Sequence, residues 1–177
     1  MAPTVITTPG ASNANSYCSV SRADTILTDE RMHAKTTWST LSGGDDDKGR
    51  LLIWSTYLHD ALFDWPGYPS NPTTQALRFP RTGFVDRDGY VIDSTTIPAF
   101  LERSCAELAY ALIEDKTIWP SALGQGLSEL SVDVIRVKFD QGALQEMIPP
   151  YISDQLLLWG ARQISGGDVG IVPLRRV

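Results

Sequence analysis

The sequence predicts a mainly α fold: a small bundle of three to four helices, a minor β-hairpin or strand, and extended N- and C-terminal arms. Three observations predict it. Apolar residues recur at helical spacing at Leu51, Trp54, Leu58 and Leu62, at Leu101, Cys105, Leu108 and Leu112, and at Ile152, Leu156 and Trp159. Residues 127–140 are instead β-branched and alternating. Both ends mix short apolar runs with proline, glycine or small polar residues. With 177 residues, 42% apolar and 20% charged, the chain is composed like a globular protein able to bury one core. The expected organisation is an arm over residues 1–16, a helical domain over 17–162 with a β insertion near 127–140, and a flexible tail over 163–177.

The arm, "MAPTVITTPGASNANS", holds one β-prone run, Thr4 to Thr8, that can pair as an edge strand. Ser19 or Ser21 then caps a first helix carrying Val20, Ala23, Ile26 and Leu27 on one face and ending near Arg31. The second helix starts at Asp45, Asp46 and Asp47, where the helix dipole favours negative charge. Leu51, Trp54, Ser55, Leu58 and Leu62 form its core-facing stripe, and Pro66-Gly67 stop it. Residues 65–96 read as irregular. Thr95 or Thr96 caps the next helix, with Pro98 in its first turn, where a missing N–H costs little. Leu101, Cys105, Leu108 and Leu112 line its inner face, and Glu102, Arg103 and Glu107 its outer one. In 127–140, Leu130, Val132 and Val134 fall on one side, then Val137 and Phe139 on the other. That slip predicts a bulge or a strand buried on both faces. Pro149-Pro150 opens a last helix, with Gly160 as its C-cap.

The same residues exclude several function classes. No run approaches the ~20 apolar residues that a membrane helix needs. The N-terminus lacks a basic and an apolar signal region, so the expected setting is the cytosol or something assembled there. The net charge of −6, with fifteen scattered Lys and Arg, disfavours direct nucleic-acid binding as the main task. No nucleophile elbow, HExxH, CxxC, P-loop or GxGxxG occurs. His33 and His59 read as surface or boundary residues, and adjacent His59 and Asp60 do not face each other on a helix. Cys18 and Cys105 have no metal spacing and are expected reduced, with Cys105 in the core. Asp86-Arg87-Asp88-Gly89 begins like a calcium loop, but its third Asp is missing and Thr95 stands where the loop's glutamate belongs. Phe84-Val85 and Tyr90-Val91-Ile92 flank it as β-formers around an Asp-Gly corner, so a tight hairpin is the better reading. No catalytic, cofactor-binding or metal residue is assigned, no cofactor is expected, and an enzyme is disfavoured.

Four pieces carry a family resemblance: "ANSYCSV" with the Ala-Asp helix after it (14–24), "STYLHDALFDWPG" (55–67), "QALRFPRTGFVDRDGYVI" (75–92) and "IPAFLERSCAELAYALI" (97–113). In order and spacing they resemble the tailed-bacteriophage head–tail connector, or adaptor, family, whose members often carry the label DnaT-like single-stranded-DNA-binding. The resemblance spans residues 13–140, and Phe79 stands where that family usually has Trp. It implies a structural virion protein, assembled in the host cytoplasm and located in the neck. Copies form a homo-oligomeric ring, usually twelve-fold, on the portal protein, extend the DNA channel, and offer a platform to a downstream neck or tail protein. Genomic DNA passes through without specific binding, and an acidic wall suits that passage. No membrane is involved.

The expected portal or subunit contacts are Ile171, Val172, Leu174 and Val177 as apolar anchors and Arg175 and Arg176 as partners for portal carboxylates. Arg78, Arg81 and Arg87 are expected to be free to reach a neighbour or the channel, with Phe79 packed inward. The arm at 1–16 and the tail at 166–177 are expected to order only on assembly. The alternative is a single-stranded-DNA-binding replication accessory protein. It needs a basic, aromatic-lined groove, whereas Trp54 and Trp159 lie on apolar stripes and read as core.

Overall fold

Ser19 opens the first helix, its hydroxyl accepting the Arg22 amide at 3.1 Å. In this computed structural model, which describes residues 3–30, 35–114, 129–132, 135–138 and 148–164, that helix is α1 (Val20–Asp24), and it continues as a π-helical turn over Thr25–Asp29. Ala23, Ile26 and Leu27 are buried, as their spacing predicts. His33 lies outside the described residues. A short α2 (Thr36–Ser39) then plants Trp38 in the core, with its indole Nε1 donating to Asp24 at 2.7 Å. Lys48 Nζ reaches the same carboxylate at 2.8 Å and sits 5.6 Å over the Trp38 ring. The mostly buried cation is thereby paired rather than isolated.

The second predicted helix is α3 (Gly44–Leu62), with Asp45, Asp46 and Asp47 in its first turn. Its buried line runs through Lys48, Leu52, Ser55, Thr56, Leu58 and His59, while Leu51, Trp54 and Leu62 are only partly buried. The core face is thus rotated from the predicted stripe. Polar residues can occupy it because α4 (Ala99–Glu114) offers partners. Ser55 Oγ donates to the Cys105 carbonyl at 2.8 Å, and Thr56 Oγ1 lies 3.4 Å from Cys105 Sγ. Buried polar groups are tolerated where each finds such a partner.

α4 is the hub, packed by α1, α2, α3 and α5 (Pro150–Leu157). Leu101, Cys105, Leu108 and Leu112 are buried as expected, but so is Glu107, which the sequence placed outward. A helix contacted on several sides has little solvent face left. The Pro98 carbonyl accepts the Leu101 and Glu102 amides at 2.9 and 3.2 Å. Thr95, by contrast, spends its amide and hydroxyl on Asp93 Oδ1, at 2.8 and 2.7 Å, and does not cap the helix. α5 buries Ile152 and Leu156 with Pro150 at its start. Gly160, at φ +76°, lets the chain turn so that Ala161 N reaches the Leu156 carbonyl at 3.2 Å.

The β structure consists of small antiparallel ladders. β1 (Phe63–Asp64) pairs with β6 (Arg162–Gln163), and β2 (Tyr68–Pro69) pairs with β3 (Arg81–Thr82). β4 (Glu129–Val132) and β5 (Ile135–Lys138) form a hairpin with Val132 opposite Ile135. The phase slip in 127–140 therefore marks a reversal of direction, not a bulge in one strand. The fold is mixed and mainly helical.

The N-terminal arm needs correction, and the C-terminal end is described only as far as residue 164. Residues 3–16 lie on the body instead of waiting for a neighbour. Asn15 is the clasp: its Oδ1 accepts the Ile6 amide at 2.8 Å, and its Nδ2 donates to the Thr4 carbonyl at 2.9 Å. The Ala76 amide donates to the Ala11 carbonyl at 3.1 Å, and a Cβ on Gly49 would stand 2.9 Å from Val5 Cγ2. At the other end, Gln163 is paired in β6, and the Ile164 amide donates to the Leu62 carbonyl at 2.8 Å. Residues 165–177 lie outside the described residues.

Candidate functional site

Three of the four segments that carry the family resemblance meet in one polar seam. Tyr17 follows the Asn15 clasp and is buried, its amide donating to Thr56 Oγ1 at 3.0 Å. Its hydroxyl donates to Asp60 Oδ1 and accepts the Phe79 amide at 3.3 Å. Asp60 Oδ2 accepts the Arg78 amide at 3.2 Å. Burial raises the Asp60 carboxyl above the usual carboxylate range, against the lowering effect of the Tyr17 and Arg78 bonds. Burial, with the Asp60 charge beside it, also pushes Tyr17 well up. The "ANSY", "YLHD" and "LRFPR" motifs are thus one device that fastens the 65–93 segment to α3.

Phe79 locks the same junction from the apolar side. It is 1% exposed and meets Tyr17, Trp65, Phe84 and Phe100 edge-on, at ring separations of 6.0, 4.9, 5.6 and 6.5 Å. Phe100 in turn stacks on Trp159 at 4.3 Å. Such edge-on aromatic pairs add to the burial of their area.

Arg81, expected to be free, is buried. Its Nε donates to the Pro66 carbonyl at 2.8 Å, and its Nη2 to the carbonyls of Trp65 and Gly67 at 3.0 and 2.6 Å. Nη1 reaches the Arg78 carbonyl at 3.3 Å. Burial and the nearby Arg78 lower its pKa. The planar guanidinium gathers carbonyls that would otherwise lack donors. Gly67 belongs to this arrangement: at φ +73°, its missing Cβ would stand 2.5 Å from the Thr82 carbonyl oxygen.

What the seam holds is a lobe, residues 67–93. Its far end is the expected hairpin: Val85 bridges Val91, Asp86 N donates to the Tyr90 carbonyl at 2.9 Å, and Gly89 adopts φ +86° at the corner. Asp86 Oδ1 accepts the Asp88 and Tyr90 amides at 2.9 and 2.8 Å, which gives that carboxylate a turn-building task. The lobe exposes Tyr68, Val85, Tyr90 and Val91, the last two by 74% and 75%. Arg78 and Arg87 are exposed on it, Arg87 with Nε 4.0 Å from Asp88. Ile171, Val172, Leu174, Arg175, Arg176 and Val177 lie outside the described residues.

A second apolar surface lies at α5, where Tyr151, Leu157, Leu158 and Ile164 are exposed. Beside it, α4 and α5 enclose a groove of about 250 Å³ floored by Phe100, Leu156 and Trp159 and edged by Arg22, Arg103 and Leu158. Sequence reasoning missed this groove because its lining comes from three separate helices.

His59, read as a boundary residue, is fully buried between α3 and α4. Nδ1 lies 2.8 Å from the Ser55 carbonyl and Nε2 2.7 Å from Ser104 Oγ. A carbonyl only accepts, so Nδ1 carries the proton and Nε2 accepts from Ser104. Burial pushes its pKa down to about 4. Cys18 and Cys105 are buried free thiols, both pushed up chiefly by burial. Among the described residues no group of three or more His, Cys, Asp or Glu is placed to hold a metal, and no helix is long and apolar enough to cross a membrane.

Over residues 1–173 the chain matches the family described as "Putative DnaT-like ssDNA binding protein". No curated protein and no solved structure matches it. That description speaks for single-stranded DNA binding more directly than for a connector. Because the match covers nearly the whole chain, the protein belongs to this DnaT-like single-stranded-DNA-binding family.

Proposed function

We propose that within this family the chain acts as a head-to-tail connector subunit, assembled in the host cytoplasm and carried in the virion neck. The observation that supports this is the placement of its exposed apolar side chains. They gather on the lobe (Tyr68, Val85, Tyr90, Val91) and on the α5 end (Tyr151, Leu157, Leu158, Ile164). Clustered exposed apolar residues mark interaction surfaces, and two unlike surfaces on one chain suit a head-to-tail ring. Several cations are already committed within the fold: Arg81 to carbonyls, Lys48 to Asp24, and Arg22 and Arg103 to Glu30. The partners on this reading are the portal protein, copies of this chain and a downstream neck or tail protein.

Negative-stain imaging of the purified protein with and without portal tests it. Rings seated on portal are the expected result, and unbound portal at every protein concentration refutes it. Deleting residues 168–177 tests the tail separately, because unchanged portal binding removes Ile171 to Val177 from the contact.

The family description favours a second reading, single-stranded DNA binding. Tyr68 and Tyr90 with Arg78 and Arg87 are the residues on the lobe that fit it, since bases stack on aromatics beside cations. The same lobe carries Asp86, Asp88 and Asp93, and the chain's net charge is −6. Binding of oligothymidine at roughly micromolar concentration, weakening steeply with salt and lost in Tyr90→Ala, establishes this reading.

A further inference from the structure

We infer that the lobe of one copy seats its Tyr90–Val91 tip in the α4–α5 groove of the next copy. The inference rests on the connector reading and deepens it by naming the contact. Tyr90 and Val91 are the most exposed large hydrophobic side chains of the hairpin and stand on a turn fixed by Asp86. The groove has the matching chemistry. Phe100, Leu156 and Trp159 form its floor, and Leu158, 57% exposed, forms its rim. At about 250 Å³ it falls below the ~300–1,000 Å³ of pockets that take drug-sized ligands and suits one or two side chains.

Arg103 is the groove cation that bears on orientation, because Arg22 is held by both Glu30 and Glu102. Arg22 and Arg103 edge the groove, and the Arg103 side chain, 45% exposed, donates through Nη2 to Glu30 with further N–H groups on its fork. Asp88, 68% exposed and 4.0 Å from Arg87, and the exposed Asp93 flank the tip on the lobe, where Asp86, Asp88 and Asp93 outnumber Arg87. Opposite charges at the rim of a contact steer and orient it. Lobe and groove are different surfaces and every copy has one of each. The contact is therefore heterologous, and repeating it yields a ring if the rotation closes.

The test uses the full chain with single introduced cysteines at exposed positions, Tyr90→Cys and Leu158→Cys, one variant carrying an affinity tag so that heterodimers differ in mass. Cys18 and Cys105 are buried and give little background. After mild oxidation, with portal absent and present, the mixture is expected to give a covalent heterodimer, each variant alone a monomer, and the double variant a ladder of oligomers. Homodimers of Tyr90→Cys alone overturn the inference, because they mark a symmetric lobe-to-lobe contact. So does an absence of cross-links in the mixture under both conditions. So does Tyr90→Ala losing oligothymidine binding with self-association intact, which assigns the lobe to nucleic acid. Rings on portal without the cross-link refute this contact and leave the connector reading standing. Cross-linked chains that never bind portal do the reverse.

Discussion

Acidification from pH 7 to pH 4 should remove about 3 kcal/mol of folding stability through His59 alone. The imidazole is fully buried, with one nitrogen on the Ser55 carbonyl and the other on Ser104 Oγ. A proton added at Nε2 would place a charge in the core and turn that nitrogen into a donor facing a hydroxyl that must then reorient. The folded pKa is about 4 against an ordinary 6.5. The unfolded chain therefore takes up the proton first as pH falls. Stability is fully present above pH 6.5, declines through the window from 6.5 to 4, and levels off below it. At about 1.36 kcal/mol per pH unit the loss is roughly 2 kcal/mol by pH 5 and roughly 3 by pH 4, a large part of a typical stability of roughly 5–15 kcal/mol.

Urea midpoints measured across that range for the parent and for His59→Asn give the assay. The variant should be less stable at pH 7 by about 1–3 kcal/mol, having lost a buried partner for Ser104. It should also lack the added slope between pH 6.5 and 4. Taking the difference matters because Asp60 acts in the opposite sense. Its raised folded pKa means that it regains stability as pH falls through that value. Parallel curves for parent and variant would refute the reasoning, since they would mean that His59 titrates equally in both states.

Three further outcomes follow from the lobe and its anchor. Arg81→Lys should cost at least about 2 kcal/mol in chemical denaturation, because a lysine cannot fan across four carbonyls, while Arg78→Ala and Arg87→Ala should stay within about 0.5 kcal/mol. Gly67→Ala should cost about 2 kcal/mol or more and lower the thermal midpoint, since it combines a left-handed backbone with a Cβ 2.5 Å from a carbonyl oxygen. Asp86→Asn should leave folding and assembly intact because an amide oxygen can still accept the Asp88 and Tyr90 amides, whereas Asp86→Ala should cost about 1 kcal/mol. Amide exchange in residues 85–91 reads that loosening directly.

The elements legible in the sequence were those set by local chemistry. Ser19 caps because a hydroxyl at that position can take the Arg22 amide. Gly160 ends α5, and Asp88-Gly89 turns the hairpin, because both glycines sit at positive φ. The stripe on α4 is apolar throughout, so its period points to the core without ambiguity. What stayed hidden depended on partners from distant parts of the chain. The sequence places Ser55 on the core face of α3, but that face also includes Lys48, Thr56 and His59, which count as polar in any periodicity until Asp24, Cys105 and Ser104 are placed beside them. Arg81 has backbone carbonyls for partners, and carbonyls leave no signature in a sequence. The arm looked unanchored because its clasp is one Asn15 side chain bonded to residues nine and eleven positions away.

These hidden contacts explain how motifs without chemistry can still bear on function. Tyr17, Phe79 and Arg81 are buried, and the partly buried Asn15 and Asp60 are bonded within the fold, so the bonds of all five are internal ones. Their effect is to hold residues 67–93 at one angle on α3. The side chains left to act are then the exposed ones: Tyr68, Tyr90, Val91 and the α5 rim. A rigid anchor that presents an exposed tip fixes the angle at which that tip can meet a partner. Changes in the seam should therefore reduce stability and binding together, and changes at the tip should alter binding alone. A tip variant that lost stability as much as a seam variant would show that the lobe is part of the core and not its cargo.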